Sequence, residues 1–145
     1  MKALSLFFLT LFLAKGCGGD TSQDLATAVV EYEANTRGFY QKITIKDQMV
    51  TNTRNRKSED APQAEKIADA KWKELISEFQ KVDLKKLQDL KAPTEKRYYD
   101  GAAIANLRVT YQNKTYETTG FDHGQPPAEI APLVNKILSL AKKDE

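Results

Sequence analysis

Val30-Glu31-Tyr32-Glu33-Ala34-Asn35-Thr36-Arg37-Gly38-Phe39-Tyr40-Gln41-Lys42-Ile43-Thr44-Ile45-Lys46 carries the reading of the fold. Val30, Tyr32 and Ala34 alternate with Glu31 and Glu33, a period of two that a strand converts into one apolar and one polar face. Thr36-Arg37-Gly38 is a turn. Beyond it Phe39, Gln41, Ile43 and Ile45 alternate with Tyr40, Lys42, Thr44 and Lys46. Two alternating runs joined this tightly predict an antiparallel hairpin.

Outward from that hairpin, Asp47-Gln48 turns the chain into a third strand, Met49 to Arg54. Residues Asn55 to Lys66 are polar and charged with one proline, and are expected to form an exposed loop. Trp72, Leu75, Ile76 and Phe79 recur at helical spacing, predicting a helix over Ala70–Lys81 with Asp69 as its N-cap. Asp83 is expected to cap a short turn through Leu84 and Leu87. Ala105, Leu107, Val109 and Tyr111 mark a further strand, with a turn at Asn113-Lys114 and a returning strand from Thr115 to Phe121. Ile130, Leu133, Val134, Ile137, Leu138 and Ala141 form the stripe of a terminal helix. Pro127 to Ala131 is expected to be a preliminary turn, with Pro132 opening the main helix. The order β-β-β-α-β-β-α predicts an α+β fold, an antiparallel sheet of about five strands with two helices on one face.

The N-terminal stretch has another character. Lys2 precedes a nearly unbroken apolar run of twelve residues, Ala3 to Ala14. That suits a signal-peptide hydrophobic region and falls short of the roughly 20 residues a membrane-spanning helix needs. Ala14, Gly16 and Cys17 resemble a lipobox, the recognition site of the lipoprotein signal peptidase. The resemblance implies cleavage before Cys17 and attachment of diacylglyceryl and further acyl chains, of the palmitate kind, to that residue. Gly18 in place of aspartate resembles outer-membrane sorting. Residues 1–16 are thus expected to be a signal peptide, 17–27 an acylated cysteine with a flexible tether, and 28–142 one domain.

Cleavage removes Lys2 and Lys15, leaving 20 Lys and Arg against 20 Asp and Glu in a mature chain of 129 residues. A formal charge of zero supplies no field for nucleic acid, so none is expected as a partner. The length suits a single core. Cys17 is the only cysteine, which rules out an internal disulfide.

Catalytic motifs are scarce. His123 is the only histidine, beside Asp122. An acid–base pair of the two, with Asp100, is one reading; backbone-bonded loop chemistry is the other. A serine elbow, a phosphate-cradling glycine loop and a zinc ligand set are all missing from the sequence. No catalytic residue, metal or cofactor is therefore expected. Arg97, Tyr98, Tyr99, Asp100, Phe121, Asp122 and His123 should converge at the end of the hairpin opposite Asn113-Lys114. There they form either a partner-binding surface or the packing beneath the terminal helix.

Arg37-Gly38-Phe39, Tyr99-Asp100-Gly101-Ala102 and Phe121-Asp122-His123-Gly124-Gln125-Pro126-Pro127 resemble a family of small uncharacterised lipoproteins from Bacteroidota, over about residues 30 to 141. The resemblance implies an anchor and no activity. The Arg-Gly-Phe hairpin, the middle helix with its paired strands, and the pattern from Pro127 to Val134 also resemble the emfourin-like domain of thermolysin-type metalloprotease inhibitors. The resulting expectation is a lipid-anchored envelope protein, in the outer membrane of a Gram-negative bacterium. Its non-catalytic domain would bind an envelope protein or glycan, with protease inhibition and an Asp122/His123 enzyme as alternatives.

Overall fold

The computed structural model describes residues 24–57 and 61–142. The expected signal peptide, Cys17 and most of the tether lie outside the described residues. Among the described residues seven strands form one antiparallel sheet: β1 (Val29–Thr36), β2 (Phe39–Lys46), β3 (Met49–Thr53), β4 (Ala64–Lys66), β5 (Ile104–Tyr111), β6 (Lys114–Glu117) and β7 (Phe121–Asp122). The sheet order is β4-β3-β2-β1-β5-β6, and β7 occupies the edge of β5 that β6 leaves. Helices α1 (Asp69–Gln80) and α2 (Ala131–Ala141) complete an α+β fold.

The alternation in β1 and β2 becomes a division between faces. Tyr32, Ala34, Ile43 and Ile45 are fully buried, or within 1% of it, in one cluster with Trp72, Leu75 and Phe79 of α1 and Leu133, Val134 and Ile137 of α2. Glu31, Glu33 and Lys42 stay half-buried on the opposite, polar face. The two short strands exceed the expected five. β4 forms inside the expected loop because Ala64–Lys66 pairs with Met49–Thr51, a contact with no apolar signature since all three residues are exposed.

The ends of several elements move by a residue. The β5–β6 turn is Gln112-Asn113 rather than Asn113-Lys114, with φ of 50° and 62°. Asp47 and Gln48 do the same between β2 and β3, at 53° and 60°. A two-residue hairpin of this hand needs left-handed geometry at both central positions, so Lys114 belongs to the returning strand opposite Tyr111. Helix α1 starts at Asp69 itself, and Ala68 is the N-cap without a side-chain bond. The Asp69 carboxylate accepts instead from Gln48 Nε2 at 2.8 Å, while that nitrogen also donates to Ile67 O at 2.9 Å. Asp83 caps the short 3-10 turn Leu84–Asp89 as expected, through Lys85 N. Pro132 stands in the first turn of α2.

Leu25–Thr27, read from the sequence as the end of a tether, packs with the sheet: Leu25 is buried in the core, and Leu25–Thr27 is a 3-10 turn whose Ala26 N–H donates to Asp24 Oδ1. The Asp24 N–H donates to Tyr111 Oη at 3.3 Å beside the β5–β6 turn.

Candidate functional site

The returning chain does not run straight along β5. Arg108 faces Glu117, but Ala105 faces Phe121, so three steps along β5 match four on the returning side. The extra residue makes a bulge. Thr118 bridges it: its N–H donates to Leu107 O and its Oγ1 accepts from Leu107 N, both at 3.0 Å. Past the bulge, Phe121 enters the core with Ala105, and Asp122 falls opposite Ile104 on the other face.

Asp122 has no exposed surface. Its carboxylate accepts from Thr94 Oγ1 at 2.6 Å, Lys96 N at 2.7 Å, Arg97 N at 3.0 Å and Arg97 Nη1 at 3.2 Å. Burial by itself would raise the carboxyl's pKa; these hydrogen bonds from Thr94, Arg97 and Lys96 outweigh it and lower the value to about 2. The two amides are free donors at the start of the 3-10 turn Lys96–Tyr99, so an aspartate from 25 residues later in the chain caps that turn. Asp100 closes it in the left-handed conformation at φ 58°, and Gly101 N–H returns to Lys96 O at 2.8 Å.

The turn lifts two aromatic rings into solvent. Tyr98 is 72% exposed and Tyr99 71%, so neither packs beneath the terminal helix. The Arg97 guanidinium carbon lies 4.4 Å from the centroid of the Tyr98 ring, and Nη2 donates to Tyr98 Oη at 3.1 Å. Arg97 Nη1 also donates to Thr94 O. The guanidinium is thus fixed between a buried anion and an exposed ring.

His123 turns the other way, as the next residue of a strand must. Its Nδ1 is 2.7 Å from Tyr32 Oη, and its ring lies 5.3 Å from that of Phe39. Burial lowers the pKa of His123 and raises that of Tyr32. Asp122 and His123 therefore engage separate partners on opposite faces. Among the described residues, no group of three or more His, Cys, Asp or Glu side chains is placed to hold a metal ion.

Of the seven residues expected at this end of the sheet, Tyr98, Tyr99 and Asp100 lie outside on the surface. His123 is half-buried, while Phe121, Asp122 and the Arg97 side chain are buried. Sequence reading missed Thr94, Tyr32, Phe39 and Ile104. Thr94 and Tyr32 act through long-range bonds that leave no local pattern. Phe39 reads as the first inward residue of β2 yet is 39% exposed, because the strand begins beyond the end of the core. Ile104, 46% exposed, sits on the polar phase of β5, a mismatch visible in the alternation itself.

Compared with protein-family models, curated proteins and solved structures, the chain matches none.

Proposed function

We propose that the chain is a lipid-anchored cell-envelope protein whose domain is a non-catalytic binding module, with Tyr98 and Tyr99 at its recognition pole. The observation that carries this reading is the braced turn. Two tyrosines more than 70% exposed stand on a loop fixed by a fully buried carboxylate. Tyrosine supplies contact area with little conformational entropy to lose, and both Tyr and Arg are enriched where interfaces gain most of their energy.

The direction of the strands supports the same role. The described chain starts at Asp24, beside Tyr111 at one end of β5, whereas the tyrosine turn adjoins Ile104 at the other. Eight residues of strand separate the two poles by about 25 Å. With Cys17 acylated, the tyrosines would stand at the pole opposite Asp24, where the described chain starts. The apolar run before Cys17 supports the anchor, and no helix among the described residues is long and apolar enough to cross a membrane.

A photocrosslinking residue at position 98 or 99, in the intact protein in cells, tests the reading against the same residue at Lys73 on α1. Discrete envelope adducts at 98 or 99 only are expected. Adducts equal at all three positions, or none, overturn it.

A further inference from the structure

The polar face of the sheet carries a depression of about 180 Å³ over β1, β2, β5 and β6. We propose that it is a subsite for one ring of an uncharged oligosaccharide, with the chain of rings running on past Ile104 to Tyr98. This deepens the binding role above and rests on it only for where the ligand is found.

Size and charge narrow the ligand. The volume is below the roughly 300–1,000 Å³ of sites for drug-sized molecules, and suits one sugar ring. Glu31, Glu33 and Glu117 face Lys42 and Arg108 around it, so the balance is a single negative charge. That is too little to select a cation and the wrong sign for a phosphate. Most of the charge is already paired, Lys42 with Glu31 at 2.9 Å and Arg108 with Glu117 at 3.3 Å.

What remains is a set of hydrogen-bonding groups beside Glu33, the carboxylate left over from those two pairs. Asn106 Nδ2 donates to Glu117 Oε1 at 3.3 Å, which orients its amide. Asn35 is paired through its strand to Tyr40 and Ile104, but among the described residues its side-chain amide has no hydrogen-bond partner, and it lines the depression. Arg108 spends only Nη2 on Glu117, leaving Nη1 and Nε to donate. Donors and acceptors side by side suit vicinal hydroxyls, which are both.

The apolar component is equally placed. A sugar ring presents C–H groups on one face, and Ile104 offers the depression an exposed apolar side chain amid polar neighbours. Gly120 lets the rim close up: a Cβ there would stand 3.2 Å from Ile104 Cγ2, 3.6 Å from Asn106 Oδ1 and 3.9 Å from Arg97 Nε. Arg97 in turn backs Tyr98, so the exposed ring lies next along the surface.

The test is an NMR titration of the isotope-labelled mature chain carrying Cys17→Ser with chitotetraose, cellotetraose, maltotetraose and N-acetylglucosamine. At least one tetraose should bind with a dissociation constant on the order of 1 mM, given one well-buried ring. Shifts should concentrate at Asn35, Ile104, Asn106 and Arg108. Asn35→Ala and Arg108→Gln, each checked for an unchanged amide spectrum elsewhere, should weaken it about tenfold. Tyr98→Ala should weaken the tetraose and leave the monosaccharide unchanged. No shift at these residues with any sugar, or affinity unaltered in both depression variants, overturns the proposal. Crosslinks at Tyr98 in cells would then still stand, which separates this failure from failure of the binding role.

Discussion

The Arg97 guanidinium and the Asp122 carboxylate meet at 3.2 Å with side chains 9% and 0% exposed, and the same carboxylate takes the Arg97 backbone N–H. One residue is thus held twice by one anion. A single charge carries both the shape of the tyrosine turn and the orientation of the cation behind Tyr98.

Replacing that anion should be costly. Asp122→Ala leaves Arg97 buried without its partner and two amides uncapped, and such removals are among the most damaging single changes. The melting temperature should fall by roughly 10–20 °C. Asp122→Asn, which keeps shape and loses charge, should fall less. A melt of Asp122→Ala within a few degrees of the parent would contradict the bracing role.

Acid should have the same effect through titration. The folded carboxyl lies at about 2, below its ordinary 3.8, so the unfolded chain takes up the proton first as pH drops. The stabilisation is present above the unfolded value and is lost as pH falls from about 4 toward about 2. Chemical denaturation across that window should show a steeper loss in the parent than in Asp122→Asn.

His123 gives a second, milder slope. Its pKa is depressed by burial, so the unfolded chain again binds the proton first, and stability declines below the ordinary value of about 6.5. As the only histidine, it isolates the effect. Thermal melts between about pH 7.5 and about pH 5 should slope downward in the parent and be flat in His123→Phe. Tyr32→Phe, which removes the hydrogen bond to Nδ1, should cost about 1 kcal/mol at neutral pH.

The two tyrosines should separate binding from stability. Tyr99→Ala should change unfolding free energy by less than about 0.5 kcal/mol, as an exposed position does. Tyr98→Ala should cost slightly more, through its contact with Arg97. With the photocrosslinking residue at position 99, Tyr98→Ala should weaken the discrete crosslinks, and with it at position 98, Tyr99→Ala should do the same; a folded variant with undiminished capture would remove that tyrosine from the recognition surface.

The anchor is tested at its own residue. Cys17→Ser should move the protein from the detergent phase to the aqueous phase in a phase-separation assay, and the parent's mature N-terminus should carry added acyl mass. Two acyl chains at about 0.8 kcal/mol per buried methylene make spontaneous release very slow. Equal partitioning of parent and variant would end the lipid-anchor reading.

How far the sequence reached follows the range of the forces involved. Side-chain alternation is a property of neighbours, so the inward faces of β1, β2 and β5 and the stripes of both helices were legible directly. Turns were legible to within a residue, because Asn113 announces left-handed geometry without saying which neighbour shares it. β4 was invisible, since a three-residue exposed edge strand is held by backbone bonds that any side chain permits.

The candidate site lies past that limit. Its residues could be drawn to one end of a hairpin from the strand order alone. Their division into surface and interior could not, because a bulge at residues 118–120 sets which way Phe121 and Asp122 point. The burial of Asp122 follows from Thr94 and Lys96, 28 and 26 residues away along the chain. Local pattern determined which faces turn inward; only chain return could bring a carboxylate against distant amides, since a hydrogen bond is satisfied by position in space.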